Sequence, residues 1–469
     1  MVLNWPLRFG LACLTLAATG TLYAEGVIKT GWIEAGILIP IALFLMIATD
    51  SLSRAFGNIL IFITALSLTV AFLDLILRPT FGHRLHYTPS NVSTHKLPEL
   101  PIVARWDANV YADAESYGDL AAMVGDAALQ ERRRIVFRTD EFGFRNIPQS
   151  AAADVLILGD SFPAGGGTTD EETFARLLER KYGFRTYNLS YPGGPYDQFI
   201  NFAIEWPRLK VASSLRMIWT FYTGNDLDDA GGENWNIESL PWRHGLSAWL
   251  VKYRTYRNRS PLNQWMEAMR LRLRRGPPDV IVRSLPDGRP VLFAEHQEIW
   301  GKRSRQEVEQ HPNFDKLKRT LSAMRRLTTA RHVEVTVLIL PTKGEIYRWL
   351  LEAREPRAED SHASGFALAV LDACREASIV CYDMKPYLLS EAQALYDTKG
   401  ELLWWRDDTH MGKYAHEAMA NYIATHLLRD YARMDSTPRA LEDGTVVQTG
   451  GDEWQYDDWD AFGVIAAEL

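Results

Sequence analysis

The chain has 469 residues, 47% of them hydrophobic and 23% charged, with a formal net charge of −8. That composition argues against a disordered chain, and the acidic balance argues against broad nucleic-acid binding, which needs a basic face to displace counterions from phosphate. Three cysteines exclude a disulfide scaffold and a four-cysteine zinc site. They leave at most one bridge, with Cys374 and Cys381 as the pair, or else two separate buried thiols.

The first eighty or so residues differ in composition from the rest. Residues 7–24, 33–49 and 58–77 are apolar stretches near the ~20 residues a bilayer-crossing helix requires. Three membrane spans are therefore expected within residues 1–82. For the first, a cleaved signal peptide is the alternative, because Arg8 precedes an apolar core and Leu22-Tyr23-Ala24 loosely resembles a cleavage site. If the amino end starts inside, both readings leave the remaining chain on the extracytoplasmic side. Arg8 and Arg54 on one side face Lys29, Arg78 and Arg84 on the other, a count that weighs slightly against this orientation, but a large domain translocates largely regardless of its charge.

Residues 83–150 read as a β-rich lead-in that covers one side of the main domain. Short strands are expected at 102–106 and 135–138 and a turn at 140–146, while Arg132-Arg133-Arg134 reads as solvated surface. From residue 151 to 435 strands and helices alternate. Val155-Leu156-Ile157-Leu158 is an aliphatic run that stops on Gly159-Asp160-Ser161. After Gly165-Gly166-Gly167, the stretch Thr169-Asp170-Glu171-Glu172 has the capping-box pattern, opening a helix with Phe174, Leu177 and Leu178. Further strands are expected at 186–189, 217–222, 333–340 and 379–384, with helices at 314–329, 366–376 and 413–433. This alternation predicts an α/β fold, a parallel sheet with helices on both faces. The segment 228–312 breaks the rhythm and reads as an inserted cap. Residues 436–469 read as an acidic tail, since no Lys or Arg follows Arg439.

Ser161 falls at the carboxyl end of a predicted strand, just before a helix, where open α/β sheets place their chemistry. A serine hydroxyl needs a base to take its proton and donors to meet the oxyanion it creates. His410, in Asp407-Asp408-Thr409-His410 ahead of the last helix, is the candidate base. Asp407, three residues earlier, has the spacing to orient the imidazole, with Asp408 as a competitor whose side chain starts in a different direction. Candidate oxyanion donors are the N–H of Ser161, Gly193 after the second strand and Asn225 after the third. His416 and His426 read as structural residues of the final helix. Asp226, Asp228, Asp229 and His410 form a conceivable metal set, weighed against hydrogen-bonded turns. Trp404-Trp405 is either a sugar-stacking platform or core and rim.

Gly159-Asp160-Ser161, Gly193, Gly224-Asn225-Asp226 and Asp407 to His410 together resemble, in order, the four blocks of the SGNH (GDSL-type) esterases and lipases. The resemblance covers roughly residues 135 to 433. It implies a flavodoxin-like sheet with Ser161 as nucleophile, Gly193 and Asn225 in the oxyanion hole, His410 as general base and Asp407 orienting it. Ser190 departs from the pattern, standing where many members carry glycine. Pro341-Thr342-Lys343 and the membrane-anchored amino end are similar to envelope members acting on acyl groups of glycans. The expected function is a membrane-anchored serine esterase, needing no cofactor or metal, with its catalytic domain facing the periplasm or exterior. Its expected partners are the bilayer and an acyl-ester substrate, with O-acetyl on an envelope or exported polysaccharide as the suggested case, and no nucleic acid. An O-acyltransferase using the same acyl-enzyme, and a non-catalytic membrane-tethered glycan-binding or scaffold protein, are the alternatives.

Overall fold

In a computed structural model of the chain, the described residues are 108–147, 152–230 and 279–429, with short pieces at 76, 94–96 and 104–106. The chain divides into two compact units. One comprises residues 1–85, 93–101 and 238–275, and holds the short strand β1 (Thr94–Lys96). The other comprises residues 86–92, 102–237 and 276–469 and carries the remaining strands and the main helices. Apart from Ile76, the three expected spans lie outside the described residues, as do most of the expected cap and the whole acidic tail. Among the described residues, no helix is long and apolar enough to cross a membrane.

After β2 (Ala104–Trp106), the lead-in forms an antiparallel pair, β3 (Tyr111–Ser116) and β4 (Arg133–Arg138), joined through the short helix α1 (Asp119–Val124). The next strands are β5 (Ala153–Leu158), β6 (Thr186–Asn188) and β7 (Val211–Tyr222). An antiparallel pair comes next, β8 (Val280–Ser284) and β9 (Pro290–Ala294), turning at Asp287-Gly288 with φ +87° at the glycine. The last strands are β10 (Glu334–Leu340) and β11 (Val380–Asp383).

The main sheet has the order β11-β10-β7-β5-β6, and every pairing in it is parallel. Counted in chain order this is 2-1-3-4-5, the flavodoxin-like arrangement. The order reverses between β5 and β7, so a crevice opens beyond their carboxyl ends. All six residues of β5 are buried, as a central strand covered on both faces must be. Val155 and Ile157 join a core with Phe174, Leu178, Leu338 and Met419, so Leu156 and Leu158 face the opposite layer. The main helices are α2 (Phe174–Tyr182), α3 (Pro195–Glu205), α4 (Phe314–Ala330), α5 (Gly365–Glu376), α6 (Lys385–Lys399) and α7 (Lys413–Tyr422). Helix α2 packs on α7, whereas α3 packs on α4 and α4 on α5, giving two helical layers.

The helix after Ser161 begins later than the capping-box pattern suggests. Asp170–Glu172 is a 3-10 turn, and Thr173 caps α2 by accepting from Arg176 N at 3.4 Å. The expected box is dismantled by tertiary contacts, because Thr169 Oγ1 accepts from Val136 N (2.9 Å) and Asp170 from Arg145 Nε (2.8 Å). The final helix ends its regular part at Tyr422 and continues as a π turn over Ile423–Leu427. Cys374 on α5 and Cys381 on β11 are joined as a disulfide, with Cα atoms 6.2 Å apart.

Candidate active site

Ser161 follows β5 through Gly159, where the chain passes under the neighbouring strand. A Cβ on Gly159 would lie 2.1 Å from Thr220 Oγ1 of β7 and 2.6 Å from Pro163 Cγ, so no larger residue fits this bend. Asp160 accepts from Phe162 N at 3.0 Å and closes the turn behind the serine. The loop then folds back, with Gly166 N donating to Ser161 O at 2.9 Å. A Cβ at Gly166 would sit 2.6 Å from His410 Cδ2 and 2.8 Å from Nε2. The glycine run therefore makes room for an imidazole lying against bare backbone.

His410 reaches this place from 249 residues away, and its Nε2 is 2.9 Å from Ser161 Oγ. On its other side Nδ1 is 2.7 Å from Asp408 Oδ1. A hydroxyl, an imidazole and a carboxylate are thus joined in one hydrogen-bonded line. Chemically, such a line can draw a proton from the hydroxyl while the carboxylate stabilises the imidazolium. Phe162 shields it, with ring centroids 5.3 Å from His410.

Asp407, the expected orienting carboxylate, is not in this line. Its Oδ2 accepts from Gly118 N and Glu131 N, both at 2.7 Å, and its Oδ1 from Arg133 Nη1 at 3.0 Å. These bonds turn it toward the lead-in, which it anchors. Asp408 is left to face the imidazole, while its Oδ2 accepts from Arg133 Nη2 at 2.6 Å. Arg133 also donates to Gly167 O (2.8 Å) and stacks over Trp405 at 4.4 Å. Its side chain is 8% exposed, which corrects the reading of the arginine triplet as wholly solvated. The period-2 alternation of β4 turns the middle arginine inward, and that alternation was the available signal.

Lys343, after β10, braces the histidine loop from beneath. Its Nζ donates to the carbonyls of Leu292 (2.7 Å), Trp405 (2.7 Å), Arg406 (3.0 Å) and Asp408 (3.1 Å). Burial pushes this amine down to about 8. Asp119, which the sequence reading missed, holds the same loop from α1 and accepts from Thr409 N at 2.9 Å. No spacing in the chain links residues 119 and 409.

Burial alone would push His410 down, but the charge and hydrogen bond of Asp408, with Asp119 and Asp160 behind, raise it to about 9. For Asp408 burial also opposes the charged form, yet the His410 charge and Arg133 hold it well below the usual carboxylate range. Asp160, whose Oδ2 is buried without a hydrogen-bond partner among the described residues, is pushed up to about 7, chiefly by burial.

Of the expected donors, the backbone N–H groups of Ser161 and Gly193 have no acceptor among the described residues. Asn225 Nδ2 gives one proton to Asp229 Oδ2 at 2.7 Å and keeps another, while its Oδ1 is buried without a partner among the described residues. Ser190 Oγ is buried and likewise has no partner. The conceivable metal set is not assembled. Asp226 accepts from Tyr222 N (2.7 Å), Asp228 from Trp300 Nε1 (2.8 Å) and Asp229 from Asn225. Ligand-type atoms of Asp119, Asp408 and His410 do lie within 4.8 Å of one another. Nδ1 there faces Asp408 as a hydrogen-bond partner, so it offers a proton rather than the lone pair a cation needs. His416 is buried, accepts from Phe174 N (3.3 Å) and is pushed down to about 3 by burial, a structural role. Trp404 is core, and Trp405 is engaged by Arg133 and by its own bond to Thr168 Oγ1 at 3.3 Å.

Residues 292–458 match the family model of the SGNH hydrolase-like domain of the acetyltransferase AlgX. The matched stretch contains Lys343, Asp408 and His410 and begins after Ser161, Gly193 and Asn225. No curated protein matches the chain. The mixed α/β fold built on a parallel sheet fits this match, and the two together support an SGNH-type family member.

Proposed function

We propose that the protein is a membrane-anchored serine enzyme that forms an acyl-enzyme on Ser161 from an acyl ester and passes the acyl group on. The observation that carries this reading is the unbroken line from Ser161 Oγ through His410 to Asp408, with steps of 2.9 and 2.7 Å. Ser161 attacks the ester carbonyl as His410 Nε2 takes its proton. Asp408 holds the imidazolium, and the N–H groups of Ser161 and Gly193 with the Asn225 amide meet the oxyanion. The alcohol leaves with the proton from His410, and an incoming hydroxyl then releases the acyl group by the reverse sequence.

Water as that hydroxyl makes the enzyme an esterase. A sugar hydroxyl makes it an O-acyltransferase, and the family match, which names an acetyltransferase, favours this second reading. O-acetyl on an envelope or exported polysaccharide is the proposed case. The three apolar stretches before residue 83 support an anchored chain with the site outside the cytoplasm. The Cys374–Cys381 disulfide agrees with an oxidising compartment.

The test is turnover of p-nitrophenyl acetate by the detergent-solubilised full chain, with fluorophosphonate labelling and Ser161→Ala as control. The wild type is expected to release nitrophenol and take up label, and the variant to do neither. Equal labelling of both would remove Ser161 as nucleophile. Acetate balance with and without an added glycan separates hydrolysis from transfer.

A further inference from the structure

Thr409 stands between Asp408 and His410, and its hydroxyl lies at a junction. Its Oγ1 is 2.6 Å from Asp119 Oδ2 and 3.2 Å from His410 Nδ1, while Asp119 Oδ2 is itself 4.0 Å from Nδ1. The Thr409 N–H donates to the other oxygen of Asp119, so the carboxylate grips both the peptide and the side chain of this residue. A hydroxyl has one proton to give. Given to an ionised Asp119, it leaves only a lone pair toward the imidazole, which agrees with the ring proton that Nδ1 offers to Asp408. Nε2 is then bare toward Ser161, as a base must be. Turned the other way, the same hydroxyl would donate to Nδ1 and favour the tautomer whose Nε2 already holds a proton.

We propose that Asp119 is a positioning residue for acyl transfer, one that reinforces the Nδ1–H tautomer set by Asp408 by taking the proton of the Thr409 hydroxyl and so keeping it from His410 Nδ1. This rests on the reading of His410 as general base, and it adds a fourth group, from the lead-in, to the three already named. Asp119 is faced by Thr409, Asp408 and His410 on the loop, with Arg133 behind Asp408 and Lys343 within electrostatic reach. Burial first, and then the charge of Asp408, push Asp119 up to about 7, so acid weakens the arrangement.

Asp119→Asn keeps the shape but reverses one bond. Its amide NH₂ donates to Thr409 Oγ1, which frees the hydroxyl proton for Nδ1. Thr409→Val removes the hydroxyl, and Thr409→Ser restores it. The full chain carrying ¹⁵N-histidine is compared by NMR above the His410 titration, with the signal assigned by its loss in His410→Gln. The wild type is expected to show Nδ1–H with Nε2 bare. Asp119→Asn and Thr409→Val should gain Nε2–H signal and lose on the order of 10- to 100-fold in kcat with KM unchanged, short of the ~10²–10⁴ a general base supplies. Thr409→Ser should recover most of the loss. Loss of the Asp119 charge should also move the rising limb of the pH profile, set by His410, to lower pH.

A wild-type tautomer and an unchanged kcat in both Asp119→Asn and Thr409→Val would overturn the proposal, whatever happens to Tm. If Asp119→Asn does not fold, Thr409→Val decides alone. A wild type that neither turns over ester nor labels would instead overturn the proposed function, and the tautomer comparison would still decide the role of Asp119.

Discussion

Asp408 Oδ1 lies 2.7 Å from His410 Nδ1 and also accepts from the His410 backbone N–H at 3.1 Å. One carboxylate oxygen thus holds the ring and its own peptide together, a two-residue loop that a carboxylate one position earlier cannot make while bound to Gly118 and Glu131. The two adjacent aspartates have different work, and substitution should separate them.

Asp408→Asn is expected to leave the fold intact and lower kcat by on the order of 10³- to 10⁴-fold, the scale of losing the carboxylate that fixes a catalytic imidazole. It also removes the charge that raises His410 to about 9. The proposed base works only when neutral, so activity is expected to rise with pH through the His410 titration. Without Asp408 the imidazolium is less favoured and that limb moves to lower pH. Asp407→Asn should instead lower stability by about 1–3 kcal/mol, because buried N–H donors lose a charged acceptor. Denaturant unfolding and a pH–rate profile of both variants check the split, and a larger kcat loss in Asp407→Asn would reverse the assignment.

Gly166→Ala tests the space beside the imidazole. Its Cβ would fall 2.6, 2.8 and 2.9 Å from the His410 ring atoms Cδ2, Nε2 and Cγ, so the ring must give way. A displacement of about 1 Å can cost on the order of 10² in rate. The expected result is a fall of that size in kcat with a nearly unchanged Tm, read from ester turnover and thermal unfolding together. Full activity in this variant would show that the imidazole does not rest on Gly166.

Lys343→Met keeps the length of the side chain and removes the ammonium that pairs with four carbonyls. Buried carbonyls left unpaired cost about 1–3 kcal/mol each before relaxation. The expected outcome is a stability loss of several kcal/mol together with faster amide exchange in residues 404–410. Unchanged exchange there would mean that the loop is held by other contacts.

The strand-and-helix order was legible from local sequence, because a covered central strand needs an unbroken apolar run such as Val155 to Leu158, and helices carry the 3.6-residue period. That Ser161, Gly193, Asn225 and His410 stand where a strand ends or a helix begins was legible too. Strand order was legible only through the family resemblance, and capping and the choice of acid were not legible at all. Thr169 and Asp170 have a capping pattern, but partners from β4 and Arg145 occupy them. Asp407 has the favoured spacing, but Gly118, Glu131 and Arg133 claim it first. Local propensity is a property of neighbours in the chain and can be read from them. The direction of a buried polar side chain is decided by whichever donors the rest of the fold leaves unpaired around it, and here those lie 25 and 33 residues away for Asp170 and Thr169 and 274 to 289 residues away for Asp407.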